Sequence, residues 1–366
     1  MFSFLNKFKY FDLPLQIATG LLVVVGLALL YSTTVGSGQG SVFTRQLLVL
    51  VPGLAGFLFF SFFDYHTLAK SNRLLYVIFV ILLIYLAVLG RHIKGSSRWI
   101  DLWVFNFQVA EFMKISIILG LARLLYLRRG EINSWRNIIW SFLYAAVPAV
   151  LILLEPDLGS AIILMAIWVG VILISPIQKK FLIVILLAAC VTAGVGWKFF
   201  LKPFQRDRVL VFLDPQLDPK GKGYNVRQAA IAVGSGQVFG MGLGKGLQSQ
   251  NKFLPEQQTD FIFSASSEEI GFLGSAALLG LYLFLLARLI KVIKLARDDL
   301  GMYITVGVFF MFFAHVAINV GMNIGLLPVT GIPLPFVSAG GSSLIVALIS
   351  LGVVQNIAMQ SKALRF

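Results

Sequence analysis

The sequence predicts an all-α membrane protein that crosses the bilayer many times. Of its 366 residues, 58% are hydrophobic and only 13% are charged, and the mean hydropathy is +0.88. Soluble domains usually carry about 25% charged residues. The apolar residues also form runs of the roughly 17–25 residues that a helix needs to cross about 30 Å of hydrocarbon. These observations predict one transmembrane domain over residues 1–366.

Ten apolar runs each predict one transmembrane helix. The first follows the basic residues Lys7 and Lys9, but it is long for a signal-peptide core and no small-residue cleavage site follows it. A retained helix is therefore predicted there. The predicted spans are 14–31, 46–63, 74–90, 111–127, 137–154, 159–176, 181–200, 262–287, 302–322 and 341–359.

Positive charges orient these helices, because Lys and Arg in short loops stay on the cytoplasmic side. With the chain starting inside, the basic residues concentrate in cytoplasmic segments, and the short outer loops hold only Arg45, Arg91, Lys94 and Arg98. The protein is therefore expected in the cytoplasmic membrane. Residues 198–260 then form an extracytoplasmic loop. Loops longer than about 12–15 residues are usually functional, so this loop is expected to carry part of an active site.

The net charge of +14 does not predict nucleic-acid binding. The basic residues lie at helix ends rather than in one aromatic-interleaved patch, which is typical of topology signals and of contact with anionic membrane lipids. The glycine-rich run 234–246 matches neither G-x-x-x-x-G-K-[ST] nor G-x-G-x-x-G. Nucleotide binding through that run is therefore not predicted.

Two carboxylates, Glu256 and Asp260, lie where the long polar loop enters the apolar run 261–263. Apolar surroundings raise the pKa of a carboxyl group, and a raised pKa suits a general base. An acid at the bilayer surface is also well placed for a reaction on a lipid-linked substrate. Asp260 is the candidate catalytic residue, and Glu256 is a candidate for substrate binding.

Ionisable residues inside predicted spans are functional candidates, because burying a charge in a membrane is costly. Glu111 and Lys114 are three residues apart, on one face of the fourth predicted helix. They form either an intrahelical ion pair that specifies packing or a contact with substrate. Glu268 and Glu269 in the eighth helix are candidates for substrate binding. They are expected to need Lys or Arg partners from elsewhere, and the candidates are Lys114, Arg206 and Arg208.

Three prolines interrupt the apolar segment 323–336, which predicts a re-entrant or cavity-lining loop rather than a continuous helix. Ser342 and Ser343 follow at the start of the tenth helix, where hydroxyl and backbone N–H groups can meet an anion. Asp157 is placed to cap the helix that follows it. His315, alone in the ninth span, is interpreted as a packed, hydrogen-bonded residue.

Ordered motifs along the whole chain carry a family resemblance. They are Gly95-Ser96-Ser97-Arg98-Trp99-Ile100, Phe107-Gln108 with Glu111-Phe112-Met113-Lys114, Glu155-Pro156-Asp157-Leu158-Gly159-Ser160, Arg208-Val209 with Phe212-Leu213-Asp214-Pro215, Gly223-Tyr224 with Gln228, Leu254-Pro255-Glu256 with Thr259-Asp260-Phe261, Glu268-Glu269-Ile270-Gly271, and Gly331-Ile332-Pro333-Leu334-Pro335-Phe336 with Gly340-Gly341-Ser342-Ser343. In these motifs the chain resembles the SEDS family (shape, elongation, division, sporulation), and in particular its RodA branch. Two motifs depart from the usual pattern: Val109-Ala110 replaces Pro-Ser, and Ala339 replaces an aromatic residue.

The resemblance implies a ten-helix peptidoglycan glycosyltransferase that polymerises lipid II on the outer face of the cytoplasmic membrane during elongation and maintenance of cell shape. It implies a class B penicillin-binding protein as the transpeptidase partner. The family's essential acid maps onto Asp260. As a general base, Asp260 is expected to activate an acceptor hydroxyl, with inversion at the donor sugar.

The diphosphate that leaves in such a reaction needs positive charge. The candidate cations are Arg98, Lys114, Arg206 and Arg208, and a divalent metal ion, Mg²⁺ or Mn²⁺, is a further candidate. Trp99, beside Arg98 in its motif, is a candidate for substrate binding. The main alternative function is a lipid II flippase, which the charges inside the membrane and the broken segment before the tenth helix would suit. A third is a non-catalytic scaffold, which leaves the acidic outer site unexplained.

Overall fold

The computed structural model describes residues 9–35, 40–89, 98–101, 106–129, 134–178, 180–181, 183–184, 203–219, 221–251 and 253–363. Helices dominate this part of the chain. They are α1 (Leu13–Val35), α2 (Gly40–Phe62), α3 (Tyr65–Leu89), α4 (Val109–Leu127), α5 (Trp135–Leu154), α6 (Leu158–Ile174), α7 (Pro203–Leu213), α8 (Lys222–Ser235), α9 (Leu247–Gln250), α10 (Ile262–Leu295), α11 (Asp299–Asn323) and α12 (Gly341–Ala363). A two-stranded antiparallel hairpin, β1 (Trp99–Asp101) and β2 (Asn106–Gln108), leads into α4.

The helices confirm an all-α protein that crosses the membrane repeatedly. Seven helices in the described ranges are long and apolar enough to span a bilayer, namely α1, α2, α3, α5, α10, α11 and α12, and α6 is a shorter apolar helix. Every predicted span except the seventh coincides with a helix. That span, 181–200, lies largely outside the described residues, so the total of ten helices stays a prediction.

Two helices begin earlier than hydropathy predicts. Helix α2 starts at Gly40 rather than at residue 46, and α3 starts at Tyr65 rather than at residue 74. The added turns carry polar residues such as Arg45 and Lys70, which lower local hydropathy without breaking helical geometry. Hydropathy therefore marks the apolar part of a helix and misses turns that face a polar cavity or the membrane surface.

Helix α12 lies at the centre of the bundle. It is almost wholly buried and packs chiefly against α2, while α11 packs against α4, α6 and α10. A helix that is apolar on all sides is stable only when it is surrounded by other apolar surface. By contrast, α2 and α3 expose large apolar side chains, among them Val51 and Val88, as expected for helices in contact with lipid.

A glycine-rich loop, residues 236–246, wraps around a sharp bend in α10. The bend is at Gly271, whose φ of 66° lies in the region that favours glycine. Main-chain hydrogen bonds join the loop to α10: Phe272 N donates to Gln237 O at 2.8 Å, and Met241 N donates to Glu268 O at 3.0 Å. A Cβ on Gly271 would lie 2.2 Å from Gly240 N, so only glycine fits. We call this arrangement the α10 bend.

Candidate functional site

A cavity of about 510 Å³ opens at the end of the bundle that holds Asp260. Residues from α2, α4, α6, α11 and α12 line it. The β-hairpin and the broken segment before α12 also form part of the wall. This segment is non-helical, as its prolines predict. Most of the predicted site residues line the cavity: Arg98, Trp99, Glu111, Lys114, Arg208, Glu256, Asp260, Ser342 and Ser343.

The backbone of Asp260 is held on two sides. The N–H groups of Thr259, Asp260 and Phe261 all donate to the carbonyl oxygen of Glu256, at 3.1–3.3 Å. The carbonyl of Asp260 accepts from Asn319 Nδ2 at 3.1 Å and from Asn323 Nδ2 at 2.9 Å. A carboxyl group on so constrained a backbone can keep one position in the cavity wall.

The surroundings of Asp260 tune its acidity. Burial, and then the charge of Glu256, raise the pKa of the carboxyl group, while Arg208, a hydrogen bond from Thr259 and Arg98 oppose the shift, and the result is a pKa of about 6. A group with this pKa is mostly ionised at pH 7 and is more basic than an ordinary aspartate. These properties suit a general base.

A polar stripe on α11 connects Asp260 with the neighbouring loop. His315, Asn319 and Asn323 are four residues apart and therefore share one face of the helix. Asn319 Nδ2 donates both to Asp260 O and, at 2.8 Å, to Ile332 O. The stripe was not among the sequence-predicted site residues. The signal that reveals it is the four-residue spacing of polar side chains within an apolar span.

Glu111, Lys114 and His315 form a buried chain at the cavity wall. Lys114 Nζ lies 2.6 Å from Glu111 Oε1 and 3.0 Å from His315 Nε2, and His315 Nδ1 lies 3.1 Å from Pro333 O. The predicted ion pair is confirmed. All three side chains also line the cavity, so the pair joins a packing contact within α4 to the surface that a substrate would meet.

Two arginines lie near Asp260 and are anchored by main-chain oxygens. Arg208 Nη1 donates to Thr330 O at 3.1 Å, and Arg98 Nε donates to Glu155 O at 3.1 Å while its Nη2 donates to Pro156 O. Burial and the charge of Arg98 lower the pKa of the Arg208 guanidinium, and Asp260 opposes this shift. These contacts hold two positive charges at the cavity wall.

Two acidic residues, Glu155 and Asp157, lie between α5 and α6, and Asp157 lines the cavity. Asp157 accepts hydrogen bonds from Ser160 N at 3.1 Å and from Gln108 Nε2 at 3.0 Å, which confirms its predicted role as a helix cap. Burial and the charge of Asp157 raise the pKa of Glu155, Arg98 opposes the shift, and the result is a pKa of about 8. Glu155 therefore holds its proton more readily than Asp260.

The two predicted serines lie at the start of α12 but are not equivalent. Ser342 Oγ accepts from Gln108 N at 2.9 Å and donates to Asn106 O at 2.8 Å, so this hydroxyl ties β2 to α12. Ser343 lines the cavity with Gly340 and Gly341. The N-terminus of α12 therefore faces the cavity, where its backbone N–H groups favour an anion.

Three predicted substrate-binding residues, Arg206, Glu268 and Glu269, do not line the cavity that the described residues form. Glu268 accepts from the backbone N–H groups of Gln248 at 2.8 Å and Ser249 at 3.1 Å, and Glu269 accepts from Ser32 Oγ at 2.5 Å. The prediction of Lys or Arg partners for these glutamates is therefore wrong. Backbone N–H groups and the Ser32 hydroxyl, all neutral donors near the α10 bend, take the place of the predicted cations.

A divalent cation would find few protein ligands in this cavity. In the described ranges, no three side chains of His, Cys, Asp and Glu lie close enough together to hold a metal ion. Glu256 and Asp260 line the same cavity, so together they offer carboxylate oxygens of the kind that Mg²⁺ prefers. Phosphate oxygens of a bound substrate would have to complete the shell of such an ion.

Comparison with known proteins places the chain among cell-wall synthesis proteins. A sequence model of the cell cycle protein family FtsW/RodA/SpoVE matches residues 9–363. The peptidoglycan glycosyltransferase RodA of Treponema pallidum (strain Nichols) is 32% identical, covering 95% of this chain and 97% of the relative. The peptidoglycan glycosyltransferase MrdB of Escherichia coli (strain K12) is 34% identical, covering 98% of each.

Solved structures give the same result. A chain from a peptidoglycan synthase complex that coordinates polymerization and crosslinking superposes with a TM-score of 0.82 at 30% identity, covering 96% of this chain and 98% of the other. The rod shape determining protein RodA of Thermus thermophilus superposes with a TM-score of 0.70 at 27% identity, covering 95% of this chain and 96% of the other. The similarity therefore extends over the whole bundle, including the cavity.

Proposed function

Because the chain belongs to the FtsW/RodA/SpoVE family of cell cycle proteins, we propose that it is a peptidoglycan glycosyltransferase that polymerises lipid II into glycan strands during cell elongation. The observation that carries the proposed chemistry is the position of Asp260. Its carboxyl group lies in the wall of a polar cavity whose lining includes three arginines and a lysine, and its surroundings raise its pKa to about 6.

The proposed reaction is a displacement at the anomeric carbon of a lipid-linked donor. Asp260 accepts the proton of an acceptor sugar hydroxyl while the hydroxyl oxygen forms a bond to that carbon. The bond from the carbon to the diphosphate oxygen breaks on the opposite face and leaves its electron pair on the diphosphate. The anomeric configuration therefore inverts. A single positioned base contributes roughly 10²–10⁴-fold to such a rate.

Positive charge in the cavity supports departure of the diphosphate. Arg98, Lys114 and Arg208 line it, and the N-terminus of α12 adds backbone N–H groups. Each arginine has further N–H groups beyond those bound to main-chain oxygens, and guanidinium groups bind phosphate in a bidentate manner. We assign diphosphate binding to these three residues. Trp99, Glu111, Glu256 and Ser343 complete the substrate contacts, and Ser342 holds the β-hairpin in place.

The proposed setting is the cytoplasmic membrane, with the cavity on the extracytoplasmic face. The distribution of Lys and Arg supports this orientation. The segment 198–260 supplies Arg208, Glu256 and Asp260 to the cavity, which supports an active-site role for this outer loop. A class B penicillin-binding protein is the proposed partner, since a chain from a complex that coordinates polymerization and crosslinking has the same fold.

A direct test uses the purified protein in detergent with lipid II, so that no translocation is needed. We expect glycan polymer from the wild-type protein and none from Asp260→Asn, with both proteins equally folded. A flippase or a scaffold makes no polymer under these conditions. Absence of polymer from the wild-type protein, also after addition of its transpeptidase partner, would contradict the proposed function.

A further inference from the structure

A second, apolar groove lies beside the catalytic cavity. It has a volume of about 500 Å³, within the range of about 300–1,000 Å³ that is typical of ligand sites. Helices α1 and α2 form two of its sides, and the glycine-rich loop 236–246 forms the third. The groove is open on its remaining side and is lined by Leu27, Ala28, Tyr31, Ser32, Phe43, Leu243 and Gly244.

Hydrogen bonds that are buried or partly buried build the wall between α1 and the loop. Gly244 N donates to Ser32 Oγ at 2.7 Å, and that hydroxyl donates to Glu269 Oε2 at 2.5 Å. Gln250 Nε2 lies 3.1 Å from Ser32 O and 3.3 Å from Glu269 Oε1. Glu269, which sequence reasoning assigned to substrate, therefore holds the loop against α1 and gives the groove a defined shape.

One helix separates the groove from the catalytic cavity. Phe43 of α2 lines the groove, while Val42, Arg45 and Gln46, in the same turn or the next, line the cavity. Gln257 Nε2, three residues before Asp260, donates to Thr33 O at 3.3 Å. The end of α1 beside the groove therefore lies at about the same depth in the membrane as Asp260. From there the groove runs toward Leu27, deeper in the membrane.

We propose that this groove binds the isoprenoid chain of one of the two lipid-linked substrates. The inference rests on the proposed function, in which two lipid-linked sugars meet in one cavity. Two chains must then leave that cavity toward the bilayer by separate paths. The groove offers apolar walls at the level of the reaction, and the exposed Lys245, next to Gly244, provides positive charge near its rim for a phosphate group.

The binding test does not depend on polymerase activity. A photoreactive polyprenyl phosphate, incorporated into nanodiscs with the full-length protein, is expected to label the groove, with labelled peptides containing Tyr31, Phe43 or Leu243. Ala28→Trp, which fills the groove, is expected to reduce this labelling at least tenfold. Val24→Trp is the matched control, because Val24 is exposed on the same helix one turn earlier and does not line the groove.

A photoreactive phospholipid in the same nanodiscs provides the second arm. Equal labelling of the groove by the phospholipid and the polyprenyl phosphate would overturn the proposal, since the groove would then contact bulk lipid without preference. Labelling by the polyprenyl phosphate that Ala28→Trp leaves unchanged would overturn it as well. Both labelling results can be measured even if the wild-type protein makes no polymer. A failure of this proposal is therefore distinguishable from a failure of the proposed function.

The kinetic test compares lipid II carrying its full-length chain with an analogue carrying a short chain. In Ala28→Trp we expect KM for the long-chain substrate to rise about tenfold, which corresponds to about 1.4 kcal/mol of binding energy, and KM for the short-chain analogue to stay unchanged. Val24→Trp should alter neither value. Equal increases for both substrates, or no increase for either, would contradict a role of the groove in holding the chain.

Discussion

Asp260 and Glu268 are two acids close together in sequence whose environments differ completely. The carboxyl group of Asp260 lies in the cavity wall, where burial raises its pKa to about 6. The carboxylate of Glu268 lies at the α10 bend and accepts two backbone N–H groups. A buried acid can act as a base only when its oxygen atoms remain accessible to a substrate. The cavity meets this condition for Asp260, and the bend uses Glu268 for structure.

The largest expected effect separates these two acids. Asp260→Asn should lower kcat by roughly 10²–10⁴-fold and leave the melting temperature unchanged, because the amide keeps the shape and loses the base. Glu268→Gln should place an NH₂ group against a backbone N–H donor and destabilise the fold by about 1–3 kcal/mol, with activity retained by the folded fraction. Polymerisation rates and thermal unfolding of both variants measure the difference. Equal losses of activity at equal stability would remove the distinction between the two sites.

A second prediction concerns Glu111 and Lys114, which line the cavity but pair with each other as structural residues do. Replacing either one by Leu should cost about 3–5 kcal/mol, because a buried charge loses its partner. The double replacement should be more stable than either single variant, since no charge remains uncompensated. Thermal unfolding of the three variants forms a double-mutant cycle. Additive losses would show that the two residues act independently, as separate substrate contacts would.

The sequence predicts the local part of this architecture well. The helices follow from long apolar runs, and the Glu111–Lys114 pair follows from a spacing of three residues in one helix. The anchoring of Asp260 by Asn319 and Asn323 could not be predicted, because it joins segments 59 and 63 residues apart.

The partners of Glu268 could not be predicted for a different reason. A search for charged side chains overlooks backbone N–H groups, and here helix α9, which follows the glycine-rich loop, brings the N–H groups of Gln248 and Ser249 to the carboxylate. His315 was interpreted as a packed residue, and the structure shows both packing and a contact with Lys114. Function in this cavity therefore depends on contacts between distant segments that periodicity does not encode.

The pH dependence of polymerisation offers a third test. Asp260 acts as a base only when deprotonated, and its pKa is raised to about 6. We expect kcat/KM to be constant above this value and to fall about tenfold per pH unit below it. An unperturbed aspartate would begin to lose activity only near pH 4. Glu268→Gln should leave the midpoint unchanged, because the bend does not take part in proton transfer. A midpoint near 4 in the wild-type enzyme would contradict the assignment of Asp260.

The smallest expected effect concerns His315. Pro333 O only accepts hydrogen bonds and the Lys114 ammonium only donates them, so His315 is neutral, with its proton on Nδ1 and its Nε2 accepting from Lys114. His315 thereby fixes the direction of the ammonium group toward the cavity. Two variants separate its two bonds. His315→Asn can keep the donor to Pro333, whereas His315→Gln can keep an acceptor for Lys114.

If orientation of Lys114 is the role of His315, His315→Asn should raise KM for lipid II by up to about tenfold, the equivalent of one charge-assisted hydrogen bond. His315→Gln should stay close to the wild-type KM. Both variants should lose some stability, because each breaks one buried hydrogen bond, so unfolding temperatures alone do not decide the question. The difference in KM between the two variants decides it. Equal KM values in the two variants would show that His315 supports packing only, and the positioned ammonium would then depend on Glu111 alone.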